Sequence, residues 1–196
     1  MYALSGIHMF EAMVGKGRHP ILGLTSSDPV LSLVGPIGLA ASVGTALIVD
    51  LMPGRPDPTR RSLRDMVEDG PTASELSPGR KGVAVIRGGG VTAEAAVGMV
   101  ERLAHGWPAI VVRVSAPGWG FPVVPAMPVF PGHLLPSPEP AICVWQPVGG
   151  GSTPPGPGPV LPRLRPGTLR LLLAGRLPRS SGWIAAWRPI WEMPWG

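Results

Sequence analysis

The chain has 196 residues, a net charge of +5, 28 glycines, 27 prolines and a single cysteine, Cys143. That length suits one domain with a sizeable core and an appendage, and the lone cysteine excludes an internal disulfide and any cysteine-rich metal site. Glycine and proline together reach the level at which disorder enters, but the prolines concentrate between Ala116 and Pro166 and leave the front half free to form a core.

Residues 1–20 read as a short lead-in without the continuous apolar core of a signal peptide. Ile21–Asp50 is the most apolar stretch, with no charge between Asp28 and Asp50. Two structures fit it. The first is strand–helix–strand: Ile21–Thr25 as a buried strand, Ser27 or Asp28 as a helix cap with Pro29 in the first turn, an apolar helix, and Ala46–Val49 as a second strand ending at Asp50. The second is one membrane-spanning helix over Pro29–Val49, which has the necessary length of roughly 20 residues. Gly35-Pro36, Gly38 and Gly44-Thr45 interrupt that span and weigh toward strand–helix–strand, because lipid offers no water to the backbone groups a proline frees.

Farther along, Met52–Thr59 reads as a proline-set loop and Arg60–Glu68 as a short amphipathic helix with Leu63, Met66 and Val67 on one side. Val83–Ile86 is a third buried strand, followed by Gly88-Gly89-Gly90 and a helix capped by Thr92 that runs to about His105. Ala109–Val114 is a fourth strand, Ala116–Pro140 a proline-punctuated connection, and Ala141–Trp145 a fifth strand. Alternating helices and near-continuously apolar strands predict an α/β fold: a mostly parallel sheet with helices on both faces. The expected division is a lead-in (1–20), an α/β domain (21–148), a Gly/Pro linker (149–162) and a C-terminal tail (163–196).

The order of pieces resembles the ParA/MinD group of P-loop ATPases, including related proteins of pilus-assembly loci. The matching text is ILGLTSS for the first strand, GLAASVGTALIVDL for the end of the first helix and the second strand, RSLRDMVEDGPTASELSPGRKGVAVIRGGG through the third strand, and VGMVERLAHGWPAIVVRVSAPG for the following helix and strand. The resemblance covers about residues 21–148 and implies a P-loop NTPase-like fold. The family's phosphate loop falls between Thr25 and Leu31, where this chain reads TSSDPVL. No lysine reaches for a β- or γ-phosphate there, no glycine lets backbone N–H groups close on one, and Asp28 repels it. Asp50 stands at the strand aspartate as a metal-site remnant, or is a plain strand-end aspartate. The next acidic position holds Arg113 or Ser115. The resemblance therefore implies a degenerate, non-catalytic member that binds no cofactor.

Other chemistries find little footing. His8, His19, His105 and His133 have no ligand spacing with one another or with Cys143, and no Gly-x-Ser-x-Gly elbow occurs. Gly88, Gly89, Gly90 and Thr92 place a glycine loop at a helix start, where an anion can sit; a tight strand-to-helix turn is the plainer reading. Cys143 reads as a buried thiol.

The charge is uneven. Acidic and basic residues balance up to Pro162, so the excess lies in Arg163, Arg165, Arg170, Arg176, Arg179 and Arg188, opposed by Glu192 alone. Trp183, Trp187, Trp191 and Trp195 recur at helical spacing within the same tail. Arginine with interfacial tryptophan is the composition of a membrane-surface anchor. The competing reading folds the tail back and buries the tryptophans on the sheet. Three functional classes follow: a non-catalytic partner-binding or regulatory protein of ParA/MinD type in a cell-division, partitioning or pilus/secretion setting; an ATPase with an unorthodox site; and a protein held at a membrane by the tail or by residues 29–49. The partners expected are an unidentified protein, an anionic membrane surface or a second copy of the chain, with nucleic acid behind these. The expected location is cytoplasmic, with the inner-membrane surface as the peripheral variant.

Overall fold

Runs such as ILGLT and ALIV carry apolar side chains at consecutive positions, which only a strand covered on both faces can bury. The computed structural model describes residues 20–54, 59–132, 142–151 and 153–195. In it, β1 (Ile21–Thr25) leads through α1 (Pro29–Ala41) to β2 (Thr45–Asp50). Two short helices, α2 (Leu63–Asp69) and α3 (Ala73–Leu76), precede β3 (Gly82–Arg87). Then come α4 (Ala93–Ala104), β4 (Ile110–Arg113), β5 (Val123–Val129) and β6 (Val144–Pro147). The chain continues into α5 (Pro166–Leu173), α6 (Gly182–Ala185) and a 3-10 turn over Arg188–Glu192. Residues 1–19, including His8 and His19, and residues 133–141, including His133, lie outside the described residues.

The six strands form one sheet in the order β3-β2-β4-β1-β5-β6, with every pair parallel. Alternation sends Leu22, Leu24, Ala46, Ile48 and Val111 to one face, under α1 and the C-terminal segment. It sends Ile21, Leu47, Val49, Ile110 and Val112 to the other, under α2 and α4. The α/β architecture with helices on both faces is thus the one the apolar pattern predicts. No helix among the described residues is long and apolar enough to cross a membrane, and residues 29–49 form the strand–helix–strand alternative.

One strand differs from expectation. Val123–Val129 carries Pro125 and Pro128, and the sequence places it in a connection. Gly23 donates to the Pro122 carbonyl (2.7 Å) and Val148 to that of Val129 (2.8 Å), so even-numbered residues of β5 face β1 and odd-numbered ones face β6. Pro125 turns its nitrogen toward β6 just before that ladder begins at Ala126, and Pro128 turns its nitrogen toward β1 beyond the last pair at Thr25. Neither proline therefore removes a ladder bond. Gly23 permits this neighbour: a Cβ there would lie 2.8 Å from Val123.

The linker and tail pack against the sheet. The chain after Gly151 runs beside β6: Cys143 donates to the Pro157 carbonyl, Trp145 to that of Pro159, and Leu161 to that of Trp145. Leu161 and Leu172 are buried in the same cluster as Leu22 and Leu24, together with Trp183, Trp187, Trp191 and Trp195. Of the two readings of the tryptophan stripe, the fold-back is the one observed. Three of the indoles have acceptors: Trp183 Nε1 donates to Gln146 Oε1, Trp191 Nε1 to the Leu39 carbonyl at 3.1 Å, and Trp195 Nε1 to the Ile190 carbonyl at 2.6 Å. Gly38 admits the stripe to α1, since a Cβ there would stand 2.6 Å from Trp187 Nε1. Of the residues that interrupt a membrane span, Gly35, Pro36 and Gly38 belong to a helix held between sheet and tail, and Gly44 lies in the turn before β2.

Candidate functional site

Open parallel sheets bind ligands beyond the carboxyl ends of their strands, where neighbouring strands send the chain in opposite directions. Here that point lies between β1 and β4. β1 leads past β4 to β2 on one side, and β4 leads past β1 to β5 on the other. The residues that meet there are Thr25, Asp28, Ser32, Asp50, Arg113 and Ser115.

Register decides their contacts. Asp50 ends β2 directly beside Arg113, which ends β4. Arg113 Nη1 donates to Asp50 Oδ2 at 3.1 Å, while Nε and Nη2 reach Ser32 Oγ at 3.3 and 3.2 Å. The other Asp50 oxygen accepts from the Met52 N–H at 3.1 Å. Both side chains are largely shielded, with 17% of Arg113 and 26% of Asp50 exposed, so the pair is less screened than a surface bridge. Thr25 Oγ1 donates to the Ser115 carbonyl. Ser115 therefore meets Thr25 through its backbone, and Arg113 is the side chain that faces the aspartate.

The start of α1 is occupied as well. Asp28 Oδ1 accepts from the Leu31 N–H at 2.6 Å, and the Asp28 N–H donates to Ser26 Oγ. A capping carboxylate uses an orphan donor of the helix and sets a negative charge where the macrodipole would draw an anion. A guanidinium thus lies against Asp50, and a carboxylate stands at the start of α1, both from this chain. Ser32 had no sequence signal as a partner of Arg113; only the fold brings the two together.

The glycine loop lies next to this site. Gly88 donates to the Asp50 carbonyl (2.7 Å), and its own carbonyl accepts from Arg64. Gly89 and Gly90 have φ of 69° and 77°, and a side chain on Gly89 would run into Ser62. Thr92 Oγ1 caps α4 by accepting from Ala95. The close approach to Ser62 and the positive φ angles are the local reasons for glycine here, and they make a tight strand-to-helix turn.

The tail arginines are elsewhere. Arg163, Arg165, Arg170, Arg176, Arg179 and Arg188 are all exposed, while the tryptophans beside them are buried. Arg163 approaches the carboxyl edge. With Asp28, Val30, Phe130, Gln146 and Leu169 it lines an open, mostly apolar cavity of about 280 Å³. His105 caps α4, its Nδ1 near the Glu101 carbonyl. Among the described residues, no three His, Cys, Asp or Glu side chains gather as a metal site. Cys143 is 2% exposed, and burial pushes its thiol pKa up.

Comparison with protein-family models, curated proteins and solved structures gives no significant match.

Proposed function

We propose that this chain is a non-catalytic protein of ParA/MinD type that acts as a partner-binding or regulatory component in cell division, partitioning or pilus/secretion assembly in the cytoplasm. The setting rests on the resemblance of residues 21–148. The carrying observation is the Asp50–Arg113–Ser32 cluster at the β1/β4 switch point. A guanidinium in contact with the aspartate opposes a divalent cation by charge and by space. Asp28 at the start of α1 opposes a phosphate in the same two ways. Titration calorimetry with ATP and Mg²⁺ tests the proposal: no micromolar binding is expected, and tight Mg²⁺-dependent binding would return the chain to the ATPase class.

A second reading, attachment to an anionic bilayer, is favoured by the six exposed arginines and by Leu173 and Leu177, which are 53% and 43% exposed. With the tryptophans buried, this attachment is electrostatic, about 1 kcal/mol for each arginine near the surface. Co-sedimentation with anionic vesicles should then fall as salt rises; binding to neutral vesicles, or none to anionic ones, rejects it.

A further inference from the structure

We infer that the cavity beside the start of α1 binds a free apolar α-amino acid, with its ammonium on Asp28, its carboxylate on Arg163 and its side chain against the apolar wall. This goes beyond the partner-binding reading and does not rest on it. The cavity lies at the carboxyl edge of the sheet, where open parallel sheets take ligands. Pro128 stands near the end of β5 and Val148 follows β6. In its lining Val30 and Val148 are 44% and 41% exposed, and Leu164 and Leu169 are half-buried. Covering that apolar surface with a hydrocarbon side chain is favourable. An apolar cavity of about 150 Å³ takes up benzene, so about 280 Å³ has room for a side chain of leucine or phenylalanine size together with its amino-acid backbone.

Two opposite charges select the ligand. Asp28, Gln146 and Arg163 are the polar side chains of the lining. Gln146 is committed: its Nε2 donates to the Pro147 and Pro162 carbonyls, and its Oε1 accepts from Trp183. Asp28 uses Oδ1 on the Leu31 N–H and leaves Oδ2 without a partner. Arg163 is exposed, and its guanidinium has no partner among the described residues. Although both charges line one cavity, they form no ion pair with each other. An anion alone meets the like charge of Asp28, and a cation alone that of Arg163. A molecule that carries an ammonium and a carboxylate on one carbon, beside an apolar group, complements both charges and the wall together.

The test is titration calorimetry of the full chain with L-leucine and L-phenylalanine, with amide chemical-shift mapping to locate the ligand. At least one of the two should bind at millimolar concentration or below and move the amides of Val30 and Val148, and glycine should not. The N-acetyl form of the better ligand lacks the ammonium, and its amide lacks the carboxylate. Each should bind at least about tenfold more weakly, because a charge-assisted hydrogen bond is lost. Asp28→Asn keeps a helix cap of equal quality and should bind the amino acid and its N-acetyl form alike. Arg163→Gln, at an exposed position, should bind the amino acid and its amide alike. Binding of neither amino acid, or shifts confined to other parts of the chain, would overturn the inference. So would an N-acetyl form that binds as tightly as the amino acid, the mark of a plain apolar acid or a polypeptide C-terminus, or a variant that keeps the parent's discrimination. None of those failures touches the non-catalytic reading, which stands or falls on the nucleotide titration.

Discussion

Replacing Trp191 by alanine should cost a large part of the stability of the whole protein. Trp191 is 1% exposed and lies in the cluster that contains Leu22, Leu24 and Val34. Its Nε1 donates to the Leu39 carbonyl at 3.1 Å and meets Ser42 Oγ at 3.2 Å. Truncating a buried tryptophan costs about 3–5 kcal/mol through lost transfer energy and the cavity left behind. The lost hydrogen bond, about 1 kcal/mol, falls within that range, because Ser42 Oγ still donates to the Leu39 carbonyl at 2.7 Å. A loss of about 4 kcal/mol is a large share of the roughly 5–15 kcal/mol of a typical domain. With a urea slope of about 2 kcal/mol per molar, the unfolding midpoint should fall by about 2 M. Trp191→Phe keeps most of the ring and loses the donor, so it should fall between the two. Urea unfolding followed by far-ultraviolet circular dichroism reads this directly. A midpoint within about 0.5 M of the parent at unchanged slope would show that the C-terminal segment is not part of the cooperative core.

Gly38→Ala should destabilise by about 1–3 kcal/mol and weaken the near-ultraviolet circular dichroism of the indoles, because the new methyl meets the rings of Trp183 and Trp187. A gain of about 1 kcal/mol, as helix propensity alone would give, would contradict that packing. Arg113→Ala should cost about 1–3 kcal/mol in a thermal melt, between a surface bridge and a fully buried pair; Arg113→Lys should recover little, since one ammonium cannot reproduce the guanidinium fork that spans Asp50 and Ser32. The Asp65 carboxyl is held below its usual range, first by the Ser62 backbone N–H and then by the Ser62 hydroxyl. Its lowered folded-state pKa makes it stabilising above the ordinary carboxylate value near 4, and that contribution disappears as pH falls through the folded value. The acid decline of the melting temperature should therefore be shallower in Asp65→Asn, and identical profiles would remove Asp65 as its cause.

Much of the fold is legible in the sequence because the signals involved are local. The runs at Ile21–Thr25, Thr45–Asp50, Gly82–Arg87 and Ile110–Arg113 are apolar over a strand's length and end at polar or glycine residues. Asp28 and Thr92 announce helix starts through their own side chains. The helix expected from Arg60 begins instead at Leu63, because Ser62 and Asp65 close a capping box that excludes the two arginines before it. The departure of TSSDPVL from a phosphate loop is likewise visible in the letters alone.

What only the tertiary structure decides depends on residues far apart in the chain. Pro125 and Pro128 argue against a strand until the stagger of β1 and β6 shows that each nitrogen faces an unpaired side. The tryptophan stripe has the same composition in a membrane anchor and in a folded-back segment. Leu39, Ser42 and Gln146 decide between them by offering acceptors within the core. Asp50, Arg113 and Ser32 have no pattern in common, and the parallel register of β2 against β4 with α1 laid beside them makes them one cluster. Periodicity and capping are carried by neighbours in sequence, whereas ladder stagger and ion pairing between strand ends exist only once the sheet has assembled.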